Sequence, residues 1–397
     1  MARDKACGGH LAHVRPRVAS RRSGITAYRV IGNYGPNAGC GSNALSASDT
    51  WRNVLLGSVA AGALFFGYGR SARANCSGPA PTLTCTGDIS GTAPPGVYNG
   101  GIRVPPAPVY TTLDVNNITS DITPDSGVDG INFVTNGDIT INSDTGPFAI
   151  ITTGYGADGM YARSETGTIR IESTGDIVTR NGIFAYAYSA NSLSIITSGD
   201  IQATDSGIIA LSLGGMVTVH STGDINARYG IYARSTGAAG GVSITSVGDI
   251  EAVGAVGDGI RVVSPGAGPL TIDSTGDITS SFGHGIFAYK VSSTGVSVKS
   301  TGTIQAGLEG IFVFSAGRFD IESTGDITST TSDAVFAAGY AAGSTVTLRG
   351  GTVFITVAVV GALLLTTVAQ SAPLAGAWTD VGGRVIVIGA DPTSASV

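Results

Sequence analysis

Residues 173–201 read STGDIVTRNGIFAYAYSANSLSIITSGDI. The stretch opens and closes on Gly-Asp-Ile, at Gly175 and Gly199, with Gly182-Ile183 between them. Its apolar residues alternate with polar ones: Ile177, then Ile183 and Ala185, then Leu193 and Ile195. Period-2 alternation marks short strands with one side turned inward, and the intervening Gly, Ser, Thr and Asp mark turns. Three such runs in one short segment leave no length for helices or for hairpins of fixed register.

The unit recurs along the chain. Gly-Asp-Ile stands at Gly87, Gly137, Gly175, Gly199, Gly223, Gly248, Gly276 and Gly325, with Gly302-Thr303-Ile304 and Gly351-Thr352-Val353 in the gaps. From Gly175 the spacings are 24, 24, 25, 28, 26, 23 and 26 residues. The second mark recurs at Gly207-Ile208, Gly230-Ile231, Gly259-Ile260, Gly285-Ile286 and Gly310-Ile311. The third run recurs as Val217/Val219, Val242/Ile244, Leu270/Ile272, Val296/Val298 and Phe319/Ile321. A single repeat cannot bury its own apolar side, whereas a stack of repeats can. The sequence therefore predicts an all-β chain forming a right-handed parallel β-helix. Its coils run 23–28 residues with three faces each, and ten or so coils at ~4.8 Å make a rod of ~50 Å. The Gly before each Asp suits a turn that needs positive φ. The solenoid is expected over residues 116–390, behind a cap at 75–115 and before a tail at 391–397. The 38 residues from Gly137 to Gly175 read as a coil with an insertion.

Composition agrees. Gly is 60 of 397 residues, about twice its ordinary share, and the charged fraction is only 13% against a usual ~25%. With 42% hydrophobic residues a large core is available and intrinsic disorder is excluded. The net charge of −6 is split unevenly. Residues 1–74 hold ten Lys/Arg against Asp4 and Asp49, and the remainder carries a net −14. A chain that acidic repels a phosphate backbone, so no nucleic-acid partner is expected.

The first 74 residues read as a targeting region. VLLGSVAAGALFFGY at 54–68 is uncharged, long enough for a signal-peptide apolar region and short for a membrane span. Ala72-Arg73-Ala74 places small residues where a signal peptidase reads, predicting cleavage before Asn75. Arg21-Arg22 lies too far upstream to act as a twin-arginine signal. Cleavage leaves Cys76 and Cys85, which in an oxidising compartment could close a small loop at the start of the fold. TVFITVAVVGALLLTTVA at 352–369 is long enough to span a membrane. Gly351 and Gly361-Ala362-Leu363 nevertheless fall where repeat marks are due, so a further coil is expected, with Val385–Ile388 as its third strand.

Tandem STGDI units alternating with GIFAY-type runs, behind a long signal region, resemble the passenger domain of a Gram-negative autotransporter. The resemblance covers residues 75 to about 390. It implies export, display at the cell surface or outer membrane or release, and a role in adhesion or surface interaction. Members of that family end in a membrane β-barrel. Nothing after Val353 reads as one, so membrane attachment would need a translocator this sequence lacks, and a truncated, nonfunctional passenger is one alternative.

Catalytic motifs are sparse. No Gly-Asp-Ser-Gly, His-Glu-x-x-His or Cys-x-x-Cys occurs. His220 sits in a mixed column with Glu172, Thr245, Asp273, Lys299 and Glu322, and His284 precedes Gly285 in a turn. The expectation is no enzyme, no cofactor and no metal. A polysaccharide-degrading β-helix is the alternative, to be signalled by unlike polar residues clustered across neighbouring coils. Asp176, Asp200, Asp224, Asp249, Asp277 and Asp326 are expected to cap their own corners by accepting backbone N–H bonds rather than to hold calcium. The outward second-run positions Phe184, Tyr186, Tyr232, Phe287, Tyr289, Phe312 and Phe314 would stack into an apolar stripe. Such a stripe suits a host-cell or matrix surface, a glycan or another copy of the chain, or else only stiffens the rod.

Overall fold

The computed structural model describes residues 75–89, 97–106, 109–189, 191–341, 343–349, 355–359 and 363–368. The expected targeting region, the tail and Val385–Ile388 lie outside them. The described residues form strands and turns with no helix. Apart from Asn75–Ser77 on Thr82–Gly87 and Val97–Tyr98 on Gly101–Arg103, every strand pairing among the described residues is parallel and joins one coil to the next.

The third runs make one 13-stranded sheet. Its buried column passes from Leu83 through Leu113, Ile141, Ile171, Ile195, Val219, Ile244, Ile272, Val298 and Ile321 to Val346, each residue in register with the next. The first runs stack Ile177, Ile201, Ile225, Ile250, Ile278, Ile304 and Ile327. The second runs stack Ile183, Ile208, Ile231, Ile260, Ile286, Ile311 and Val335. All of these residues are at most 2% exposed. The three columns meet inside the coil, so each isoleucine buries itself on its equivalents above and below.

Glycine is required at the corners for two different reasons. Gly223 has φ of 119°, and a Cβ there would stand 2.4 Å from the Gly199 carbonyl oxygen of the coil before. Gly207 has no such φ, but a Cβ would meet the Ile225 side chain at 2.4 Å and the Gly230 carbonyl oxygen at 2.6 Å. The first kind sets the turn direction; the second lets adjacent corners close on each other.

Three boundaries differ from the sequence reading. Gly137-Asp138-Ile139 is not a first-run mark, because Ile139 pairs with Ile169 in the third-run sheet. The first-run position of that coil is Ile150, bridged to Ile122 and paired with Ile177, so the coils there are 28 and 27 residues long and hold no insertion. Its corner reads Gly-Pro-Phe-Ala-Ile and lacks the Asp that made the others visible. In-register coils also begin earlier than 116, since Thr82–Gly87 already pairs with Thr112–Ile118. At the other end, Ile355–Val359 and Leu363–Val368 continue the second- and third-run columns. Leu363–Val368, rather than Val385–Ile388, therefore supplies the next third strand.

The third-run sheet contains a polar stack inside the coil. Ser143, Ser173, Thr197, Ser221, Ser246, Ser274, Ser300 and Ser323 follow one another in register. Their hydroxyls are buried without a hydrogen-bond partner. Like atoms one coil apart lie ~4.8 Å from each other, beyond hydroxyl–hydroxyl reach. Val115 precedes this stack and Leu348 follows it, so the site accepts apolar side chains. Ser221→Ala and Ser246→Ala are thus expected to leave the thermal midpoint unchanged or raise it, because each removes a hydroxyl whose burial costs about 1–3 kcal/mol when unpaired. Gly223→Ala is expected to destabilise by about 3 kcal/mol or more, combining a strained φ with a backbone clash. Thermal melts of the three variants check both expectations, and a loss above about 2 kcal/mol in either serine variant would contradict the first.

Candidate functional site

The in-register stacking carries the outward second-run residues into two parallel columns. One runs Tyr161, Phe184, Ile209, Tyr232, Arg261, Phe287, Phe312 and Phe336. The other runs Arg163, Tyr186, Leu211, Arg234, Val263, Tyr289 and Phe314. All the rings predicted as a stripe lie on this face. Phe287 stacks on Phe312 at 4.9 Å with 4° between planes, Phe312 on Phe336 at 5.1 Å, and Tyr289 on Phe314 at 5.2 Å. Phe184 stacks on Tyr161 at 5.5 Å, and Tyr186 lies against Tyr188. Stacking covers the ring faces and leaves the edges to water, so these rings are mostly half-buried, with Tyr289 exposed at 36%. Tyr161 was missed in the sequence, although Gly159-Met160-Tyr161-Ala162 has the second-run form.

The corner aspartates form a ladder between coils, which corrects the expectation that each caps its own corner. Asp176 Oδ1 accepts the Asp200 backbone N–H, Asp200 that of Asp224, Asp224 that of Asp249, Asp249 that of Asp277, and Asp277 that of Thr303, all within 2.7–3.0 Å. Asp326 stands at the corresponding corner, its carbonyl accepting the Ile304 N–H. The neighbouring coil supplies the donor because a positive-φ glycine turns each Asp N–H along the rod axis. Exposed carboxylates one coil apart repel by ~0.9 kcal/mol before salt screening, and a hydrogen bond of about 1 kcal/mol offsets that. Among the described residues no three His, Cys, Asp or Glu side chains converge as a metal set would. Asp224→Ala is expected to cost about 1 kcal/mol by orphaning the Asp249 N–H, and a calcium chelator is expected to leave the thermal midpoint unmoved. A chelator-induced drop of many degrees would restore a metal role.

A second polar column was not anticipated. It consists of the residue just before each second-run glycine: Asp129, Asp158, Asn181, Ser206, Tyr229, Asp258, His284 and Glu309. Asp129 Oδ1 accepts the Asp158 N–H at 2.9 Å, and Asn181 Nδ2 donates to Asp158 Oδ1 at 2.7 Å. Burial, reinforced by the neighbouring Asp129 charge, raises the Asp158 carboxyl to about 6, against the opposing Asn181 bond and the Arg180 charge. Further along, His284 Nδ1 lies 2.8 Å from Asp258 Oδ1 and Nε2 lies 3.1 Å from Glu309 Oε2. Asp258 also accepts the His284 backbone N–H, and its other oxygen takes Arg261 at 2.8 Å. Burial pushes the Asp258 carboxyl up, but the bonds from His284 and Arg261 outweigh it and hold the group below its ordinary value. Ser332 Oγ donates to Glu309. His220, by contrast, stands between Ile196 and Thr245 with no acid in register.

A cleft of about 420 Å³ opens where the aromatic column is interrupted, lined by Ser206, Tyr229, Tyr232, Val256, Asp258 and Arg261. The Arg261 guanidinium lies 4.4 Å over the Phe287 ring, turned toward the C-terminal block of aromatics. At the start of the fold Cys76 and Cys85 are bridged, tying Asn75–Ser77 to the first coil.

These features define a parallel β-solenoid with one aromatic outer face flanked by a mixed polar corner. No family model, curated protein or solved structure matches the chain.

Asp158 gives a pH test of the corner. With its carboxyl raised to about 6, the folded chain keeps a proton that the unfolded chain releases near pH 4. Stability therefore falls as pH rises from about 4 to 6 and stays lower above it. Asp158→Asn retains an acceptor for Asn181 and removes the charge. Chemical denaturation at several pH values is expected to show it about 3 kcal/mol more stable than the parent at pH 7, the gap closing below pH 4.

Proposed function

We propose that this chain is an exported β-helical passenger of the autotransporter type that works by binding at a surface rather than by catalysis. The observation that carries the reading is the outer second-run face, where aromatic and aliphatic residues recur coil after coil instead of the polar residues found on the third-run face. Exposed apolar surface forgoes ~25 cal/mol per Å² that burial would yield, so an edge on which apolar residues recur over successive coils marks a surface that something covers. The Cys76–Cys85 bridge fits an oxidising, extracytoplasmic compartment.

The second reading, an enzyme acting on polysaccharide, draws on one observation: Asp258, His284 and Glu309 are unlike polar residues on three neighbouring coils. The geometry favours a clamp. Both ring nitrogens of His284 face carboxylates, so neither is left to take a proton from a substrate or water. Glu309 is engaged by His284 and Ser332, and Asp258 by His284 and Arg261. A general acid–base pair needs at least one group free toward substrate.

The test replaces Tyr186, Phe287 and Phe312 together by Thr, which keeps strand propensity. Retention of the purified chain on host-cell layers and polysaccharide-coated surfaces is expected to fall at least tenfold, with the β-sheet circular dichroism retained. Loss of the cooperative melt would reassign the face to packing. Release of reducing ends from a polysaccharide, abolished by His284→Gln, would establish the enzyme reading instead.

A further inference from the structure

The break in the aromatic column coincides with a break in coil length. From first-run to second-run isoleucine the corner takes six residues at Ile225–Ile231 and six to eight in most other coils, such as Ile201–Ile208 and Ile278–Ile286. Between Ile250 and Ile260 it takes ten. Where the preceding coil has Arg228 alone this one has Val253–Gly257, whose Val256 is 59% exposed and rims the cleft. A corner as long as that of Ile150–Met160 thus follows directly on one of the shortest and overhangs it.

Inside that overhang the chemistry is specific. Tyr232 has Ile209 on one side and Arg261 on the other, and among the described residues its ring stacks on no other ring. Arg261 is drawn away from it by two attachments, the Phe287 face and the Asp258 carboxylate. Asp258 is only 3% exposed, and each of its oxygens is already bonded, one to His284 and one to Arg261. The wall therefore offers an aromatic surface, hydroxyls from Ser206, Tyr229 and Tyr232, and the remaining N–H donors of a guanidinium, but no unpaired charge. A ligand complementary to such a wall is uncharged, carries several hydroxyls and has an apolar face. Neutral saccharides combine these properties, and a cleft of about 420 Å³ falls within the range of small-ligand pockets.

We propose that the overhang between Tyr229–Tyr232 and Val256–Arg261 is a binding site for a neutral saccharide unit of a surface glycan. Tyr232 receives the apolar sugar face, and Arg261, held by Asp258, donates to its hydroxyls. The inference rests on the reading of this face as a binding surface and names the ligand class at one place on it.

The experiment titrates the full chain with cellohexaose, maltohexaose and hexa-N-acetylchitohexaose, and with an oligogalacturonate as the charged counterpart, following binding by calorimetry and saturation-transfer NMR. At least one neutral oligosaccharide is expected to bind saturably with a dissociation constant between about 10 μM and 1 mM. Tyr232→Ile is expected to weaken it at least tenfold. That variant keeps the fold testable, because the column already accommodates Ile209, and an unchanged thermal midpoint checks it. His220→Thr, on another face, is expected to change nothing. Absence of saturable binding by any neutral oligosaccharide at about 10 mM, equal affinity in Tyr232→Ile, or preference for the oligogalacturonate would each overturn the proposal. Surface retention that persists in Tyr232→Ile but falls in the Tyr186/Phe287/Phe312 variant would overturn this site while leaving the binding face intact.

Discussion

An isoleucine at the start of each first run packs on the isoleucine of the coil before and of the coil after. No coil can bury it alone, and this dependence of every repeat on its neighbours fixes the rest of the molecule. It sets the parallel register, because a shift by one residue would turn each buried column to solvent. Register then dictates that like residues meet like residues: serine over serine inside, aspartate over aspartate at one corner, ring over ring outside. Ladders of each kind are by-products of stacking, and their value to the protein depends on how the stacked group behaves at ~4.8 Å. Phenyl rings gain from that spacing, corner carboxylates use it to reach the next N–H, and the internal hydroxyls gain nothing from it.

The columns built from repeated residues were legible in the sequence. Ile177, Ile201 and Ile225, or Phe287 and Phe312, announce their equivalence by identity. Where a corner departs from the pattern the reading slipped. Gly137-Asp138-Ile139 carries the right letters in the wrong place, and Ile150 stands in the right place without them. A tripeptide records local turn chemistry, whereas position in a coil is decided by which strand it stacks on.

The polar corner before the second run was illegible for a different reason. Its members, from Asp129 to Glu309, are of mixed type, so although each stands one residue before a second-run glycine, no repeated letter marks the column. Only the three-dimensional stack brings His284 between Asp258 and Glu309. The cleft is further removed still, since it depends on the side-chain path of Arg261 as well as on the long corner segment Val253–Gly257.

That long corner has a consequence for how such a molecule diversifies over time. Inside a strand, one added residue inverts every side chain that follows. At the corner between Ile250 and Ile260 extra residues invert nothing, since the coils above and below restore the phase through their own isoleucines. The corner is thus a place where heredity can write freely: segments can lengthen, shorten or change chemistry there without disturbing the scaffold. Novelty should accumulate along that single edge, leaving a rod with a conservative interior and one inventive seam.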